Sequence, residues 1–227
     1  MKKTVFLLFV LAAVISAEVN SEQKMTPFFA QGNKDRKAVA LTFDDGPGKF
    51  TPKILEILKA GNIKATFFME GQLAAARSEI VKSVYNDGHE VGAHSYTHPN
   101  FYSYKKDDKE ELLSGEIARA NAALEKISGL KPRLMRMPYG FVKPWVREVA
   151  GRHDMVLVNW SFGCDWKKMT GSELAAEYIK NIKPGAIFLM HDGGVKREST
   201  VEALPLIIEE LKKRGYEIIP VGELLGI

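Results

Sequence analysis

From Val39 to Ile219 the chain carries seven short apolar runs separated by longer amphipathic stretches. The runs are Val39–Phe43, Ala65–Met69, Glu90–Ala93, Leu134–Arg136, Met155–Trp160, Ala186–Met190 and Glu217–Ile219, and they read as strands. A helix opens at Thr51-Pro52, a hydroxyl cap followed by proline at the first helical position, and closes at Gly61. Further helices are expected over Ala74–Asn86, Asp107–Ser128, Pro144–Arg152, Ser172–Ile182 and Thr200–Arg214. Strands that alternate with helices lie parallel, because each helix carries the chain back to the starting edge. The expected class is therefore α/β, either a barrel or an open doubly wound sheet. The first strand is followed by neither G-x-G-x-x-G nor a P-loop, so a nucleotide-binding fold lacks its signature.

The composition fits one domain and excludes several classes. With 227 residues, 45% hydrophobic and 26% charged, the chain can bury a core and is not a disordered polymer. A single cysteine, Cys164, excludes an internal disulfide framework and a cysteine zinc finger. Lys2 and Lys3 precede an apolar run from Val5 to Ile15, which is too short to span a bilayer. With small residues at Ser16 and Ala17, residues 1–17 read as an export signal, the alternative being an uncleaved N-terminal anchor. Loss of both lysines lowers the formal charge from +4 to +2, which gives no support to nucleic-acid binding. Residues 18–36 read as a polar tether and 37–227 as the folded domain.

The unusual polar residues cluster where strands end. Asp44 and Asp45 follow the first strand, His94 and His98 the third, and Arg136 and Tyr139 the fourth. Asp165 and Trp166 lie beyond the fifth, and His191 and Asp192 follow the sixth. In parallel barrels and open sheets, active sites are built on this C-terminal edge. Alone, an Asp pair can shape a turn, and two histidines four residues apart are commonly incidental. Together, two His and one Asp make a three-ligand set that leaves coordination positions open, the pattern of a catalytic metal. His89 and His153 fit no such set and read as surface or strand-flanking residues. Lys105–Glu111 reads as a solvated face, and Cys164 as inert.

Five segments carry a specific resemblance: Thr42-Phe43-Asp44-Asp45-Gly46-Pro47, His94-Ser95-Tyr96-Thr97-His98, Arg136-Met137-Pro138-Tyr139-Gly140, Asp165-Trp166 and Leu189-Met190-His191. In content and order they resemble the motifs of the polysaccharide deacetylase family (the NodB homology domain, carbohydrate esterase family 4) from about Val39 to Gly226. The resemblance implies a distorted (β/α)7 barrel, akin to a TIM barrel, with the site at the C-terminal strand ends. It implies that Asp45, His94 and His98 hold Zn2+ or another divalent ion such as Co2+. Asp44 would be the catalytic base, with Arg136 paired to it. The Tyr139 backbone N–H would be an oxyanion donor, and His191 the general acid, oriented by Asp165. Leu189 and Trp166 would wall the acetyl pocket. Adjacent strand residues point apart, which would let one carboxylate of the Asp pair hold the ion while the other takes the proton.

The implied activity is hydrolysis of N-acetyl groups on N-acetylglucosamine residues of a peptidoglycan- or chitin-type polysaccharide. The expected protein is exported, to the periplasm or to the cell wall and exterior, with a polysaccharide as its partner and no membrane span once the signal is removed; a monomer is favoured, with the oligomeric state left open. Two rivals share the fold: an O-acetyl esterase acting on a xylan-like polymer, and an inactive glycan-binding homologue. The family's fourth motif usually has an Asp three residues before the Asp-Trp pair, whereas Phe162 stands there in this sequence. That departure bears on the groove wall and the substrate preference and leaves the catalytic set intact.

Overall fold

A computed structural model describes residues 25–227. The seven expected strands are present as β2 (Ala38–Gly46), β3 (Thr66–Met69), β4 (Glu90–Ala93), β5 (Leu134–Met135), β6 (Val156–Val158), β8 (Ala186–His191) and β9 (Glu217–Ile218). Two short strands, β1 (Phe28–Phe29) and β7 (Phe162–Gly163), join them in one sheet. All pairings are parallel and run β1-β6-β5-β4-β3-β2-β8-β7, with β9 on β2. The sheet curls into a distorted barrel, ringed by α1 (Thr51–Ala60), α2 (Gly71–Ala76), α3 (Ser78–Asn86), α4 (Lys109–Ser128), α5 (Pro144–Arg152), α6 (Gly171–Lys180) and α7 (Glu198–Lys213).

The alternation of β2 sorts its residues onto two faces. Val39, Leu41 and Phe43 point outward and pack with helix residues such as Ile54, Leu58 and Leu113. Ala38 and Ala40 point inward and share a second, smaller core with Phe68, Val158 and Ile187. A short helix, α8 (Val221–Leu225), closes the bottom of this inner core with Val221 and Leu224. Its first N–H groups are held by the Glu90 carboxylate and the Thr66 hydroxyl, which satisfies donors that no cap side chain covers. The next two inward residues of β2, Thr42 and Asp44, reach the functional end.

Three expectations change. The expected tether is part of the fold from residue 25 onward: Phe28–Phe29 pairs with β6, and the Thr26 backbone bonds Arg147. The expected Ala74–Asn86 helix breaks at Arg77, which leaves helical geometry as its guanidinium donates to the Pro47 carbonyl at 2.7 Å. His89 is buried at the base of the barrel wall, where its Nδ1 accepts from the Ala65 N–H at 3.1 Å. Burial, then nearby Lys64, pushes its pKa down to about 4, so it is a neutral structural group. The expected export signal lies outside the described residues. Among the described residues, no helix is long and apolar enough to cross a membrane.

Candidate active site

A kink in β2 builds the first part of the site. Register against β3 slips between Asp44 and Gly46, so Asp45 is bulged out of the ladder with φ at 67°. The bulge overturns the expected divergence of the pair, and both carboxylates line one small cavity. The end of β8 holds the bulge from behind, where the N–H groups of Asp192 and Gly193 both donate to the Asp44 carbonyl. A Cβ at Gly193 would sit 1.8 Å from the Asp45 carbonyl oxygen, so only glycine fits there. The Asp192 carboxyl is buried, takes the Thr51 hydroxyl, and is pushed up to about 7 by burial first and then by the neighbouring Asp45 charge.

His94 and His98 arrive from the end of β4. His94 donates from Nδ1 to the Arg136 carbonyl at 2.7 Å, because that oxygen can only accept, and its Nε2 is thereby left facing Asp45 at 3.4 Å. His98 Nε2 is also 3.4 Å from the same Asp45 oxygen. Ser95 and His98 both have left-handed backbones, which fold the segment back on itself, and the Ser95 hydroxyl accepts the His98 N–H. With Asp45 and Tyr139, four of the six non-glycine residues at positive φ among the described residues lie in this site, where backbone strain is commonly stored.

The three ligand-capable atoms of Asp45, His94 and His98 lie within 4.8 Å of one another. One carboxylate and two imidazoles fit a borderline divalent ion with open coordination positions. Burial disfavours a charged His94, yet Asp44 and then Asp45 push its pKa above the ordinary imidazole value.

Arg136 lies fully buried inside the barrel, above Phe68. Desolvating a guanidinium costs several kcal/mol unless its donors are met. Here Nη1 reaches Asp44 and Thr42 at 2.7 Å each, Nε reaches the Val158 carbonyl, and Nη2 the Asn159 carbonyl. On the opposite wall, Asp165 takes His191 Nδ1 at 2.7 Å, the His191 N–H at 2.8 Å and the Thr200 hydroxyl at 2.9 Å. Burial alone would lower the His191 pKa, but the Asp165 hydrogen bond and charge raise it above the usual value. The cavity between these walls has a volume of about 100 Å³, room for about three waters or one acetyl group.

The family model described as polysaccharide deacetylase matches residues 31–158.

The chain belongs to the polysaccharide deacetylase family.

It is 36% identical over 191 residues to a peptidoglycan-N-acetylglucosamine deacetylase of Bacillus cereus, covering 83% of this chain and 68% of that protein. A crystal structure of a peptidoglycan N-acetylglucosamine deacetylase bound to an N-oxidanyl-benzamide superposes with a TM-score of 0.83 at 33% identity, covering 88% of this chain and 94% of that one. A Bacillus anthracis protein described as a pseudoenzyme of carbohydrate esterase family 4 superposes at 0.78 with 33% identity, covering 86% and 67%.

In this deacetylase-family chain, the structure gathers Asp44, Asp45, His94, His98, Tyr139, Leu189 and His191 around one cavity, with Arg136 and Asp165 behind its walls. Trp166 is not in that wall. It is 53% exposed and stands edge-on to His191 at 6.0 Å, while Trp160 lines the cavity instead. Trp160 packs on Gly140, where a Cβ would lie 2.7 Å from the ring, so that glycine admits the indole.

Glu116 of α4 escapes a motif search. Its buried carboxylate accepts the N–H groups of Tyr96 and Thr97 at 2.8 and 2.6 Å and the Thr97 hydroxyl at 2.9 Å. The sequence does hold a signal, since Glu116 interrupts the apolar stripe of Leu113, Ile117, Ala120 and Leu124. Glu116→Ala should free the segment between the two histidines and weaken the affinity for added zinc by roughly tenfold, as loss of outer-shell support does. Competition titration against a chromophoric chelator measures this, and unchanged affinity would show that the segment holds itself.

Proposed function

We propose that this chain is a metal-dependent hydrolase that removes N-acetyl groups from N-acetylglucosamine residues of an exported polysaccharide of the peptidoglycan type. The observation that carries the reading is the opposition of two proton-handling groups across one acetyl-sized cavity: Asp44, held by Arg136, and His191, held by Asp165. Asp45, His94 and His98 would hold a divalent ion, zinc by the chemistry of the donor set. Such an ion supplies Lewis acidity, polarising the acetyl carbonyl and making water more acidic.

The remaining work falls to side chains of this molecule. Asp44 takes a proton from the water whose oxygen bonds to the acetyl carbon. The Tyr139 N–H faces the negative charge that develops on the carbonyl oxygen. His191 gives its Nε2 proton to the departing nitrogen as the carbon–nitrogen bond breaks, which releases acetate and a free amine. Leu189 shields the methyl group. Residues 1–17 would direct export, in keeping with a cell-wall substrate.

An inactive glycan-binding protein is the rival with a real precedent, given the pseudoenzyme of the same fold. Retention of Asp44, His191 and the full ligand triad in this chain favours catalysis. Acetate release should be compared on N-acetylglucosamine oligomers, peptidoglycan and acetylated xylan. Release from the first two supports the proposal, release from xylan alone makes the chain an esterase, and release from none favours the binding protein.

The acid assignment predicts a pH effect. Because Asp165 raises the His191 pKa, the protonated acid persists to higher pH than an ordinary imidazole allows. Asp165→Asn should move the alkaline limb of the kcat/KM profile to lower pH and cut the neutral-pH rate by about 10² or more. An unmoved limb would mean that His191 is not the group titrating there.

A further inference from the structure

Tyr139 belongs to a tight turn, Pro138–Gly140, with φ at 59° for Tyr139 and 68° for Gly140. A left-handed backbone is costly at a side chain as large as tyrosine, so the turn needs support from outside itself. Two hydrogen bonds close it locally: the Gly140 N–H donates to the Met137 carbonyl at 2.9 Å and the Phe141 N–H to the Pro138 carbonyl at 3.2 Å. Neither ties the turn to the barrel. Among the described residues, the one side chain that hydrogen-bonds its backbone is Asn159, just past the end of β6, which donates from Nδ2 to the Gly140 carbonyl at 3.1 Å.

Asn159 is itself held on two sides. Its N–H donates to the Phe29 carbonyl of β1 at 2.7 Å. Its carbonyl accepts Nη2 of Arg136 at 3.0 Å, the same guanidinium whose Nη1 meets Asp44 at 2.7 Å. One residue thus links the partner of Asp44 to the turn that carries the Tyr139 N–H. The Gly140 carbonyl can only accept, which fixes the amide with Nδ2 towards it. Oδ1 is then turned away, buried and without a hydrogen-bond partner among the described residues. An unmet buried acceptor is destabilising, and leucine, of nearly the same shape, would avoid it. The donor is therefore what this position requires.

We infer that Asn159 is a positioning residue: it sets the Tyr139 N–H at the place where negative charge develops on the acetyl oxygen. It does not line the cavity and acts only through the turn. The inference rests on the deacetylase reading and adds a residue to it.

Asn159→Leu in the full chain removes the donor and the unmet acceptor together. Phe141, packed against Phe101 and Trp145, still anchors the far end of the turn, so the variant should fold. Asn159→Ser, whose hydroxyl stops short of the Gly140 carbonyl, is the second variant. On an N-acetylglucosamine tetramer, kcat should fall about thirtyfold, less than the 10²–10³ that outright loss of an oxyanion donor costs, because the N–H is displaced and not deleted. KM and zinc affinity should stay at the wild-type values. Calorimetric affinity of the zinc-loaded protein for a tetramer with methylphosphonamidate in place of the acetamide should fall by the same factor as kcat, since its tetrahedral oxygen stands where the charge develops. Amide hydrogen exchange over residues 137–141 should quicken in the variants. An unchanged kcat, a loss of zinc in step with the rate, or unchanged exchange over 137–141 overturns the inference. Faster exchange in the variants of a protein whose wild type releases no acetate from oligomers or peptidoglycan would uphold the hold of Asn159 on the turn and overturn the deacetylase reading instead.

Discussion

Asp44→Asn is expected to lower acetate release by about 10³-fold, the usual worth of a general base, while leaving zinc affinity close to that of the wild type. Asparagine keeps the shape and can still accept from Arg136 Nη1, but its amide cannot take a proton. Asp44 stands outside the triad whose atoms converge, so the triad survives the change. The substitution does leave a buried guanidinium facing a neutral partner. Some loss of stability follows, moderated because Thr42 and the carbonyls of Val158 and Asn159 still accept from it. Thermal unfolding should therefore accompany the assay, so that inactivity is read only on folded protein. Activity within tenfold of the wild type would remove Asp44 from the role of base.

His98→Ala is expected to lose the ion and the activity together. Outer-shell supports of a metal site are worth roughly 10–100-fold in affinity, so removing one of three direct ligands should exceed that. His98 also stacks edge-on against Tyr139 at 4.9 Å, so its loss loosens the wall that carries the proposed oxyanion donor. The fold should persist, because His98 is partly exposed and belongs to neither core cluster. Zinc content by elemental analysis after dialysis measures the effect directly, and a stoichiometric ion in the variant would show that the ligand set is different.

Much of this was legible because the chemistry sits at strand ends. Unbroken apolar runs marked β2 and β8, and the residues just beyond them could only lie at one edge of a parallel sheet. The parts that were not legible depend on contacts distant in sequence. β1 and β7 are two residues long, too short to show a period, and exist because β6 and β8 offer open edges. The helix α8 is specified by Glu90 and Thr66, more than 130 residues upstream. The Asp45 bulge is imposed by Gly193 and the β8 backbone, so strand periodicity gave the opposite orientation for the Asp pair. Trp160 and Trp166 are both plausible pocket walls in a sequence. Only the packing of Trp160 on Gly140 decides between them, and Trp166 stays largely exposed.

The central claim, hydrolysis that depends on an ion held by Asp45, His94 and His98, is tested most directly by acetate release from N-acetylglucosamine oligomers. The protein would be assayed as purified, after chelation, and after zinc is restored. The account predicts release that disappears on chelation and returns with about one equivalent of zinc per chain. Release that persists in chelated protein shown to contain no metal would contradict it.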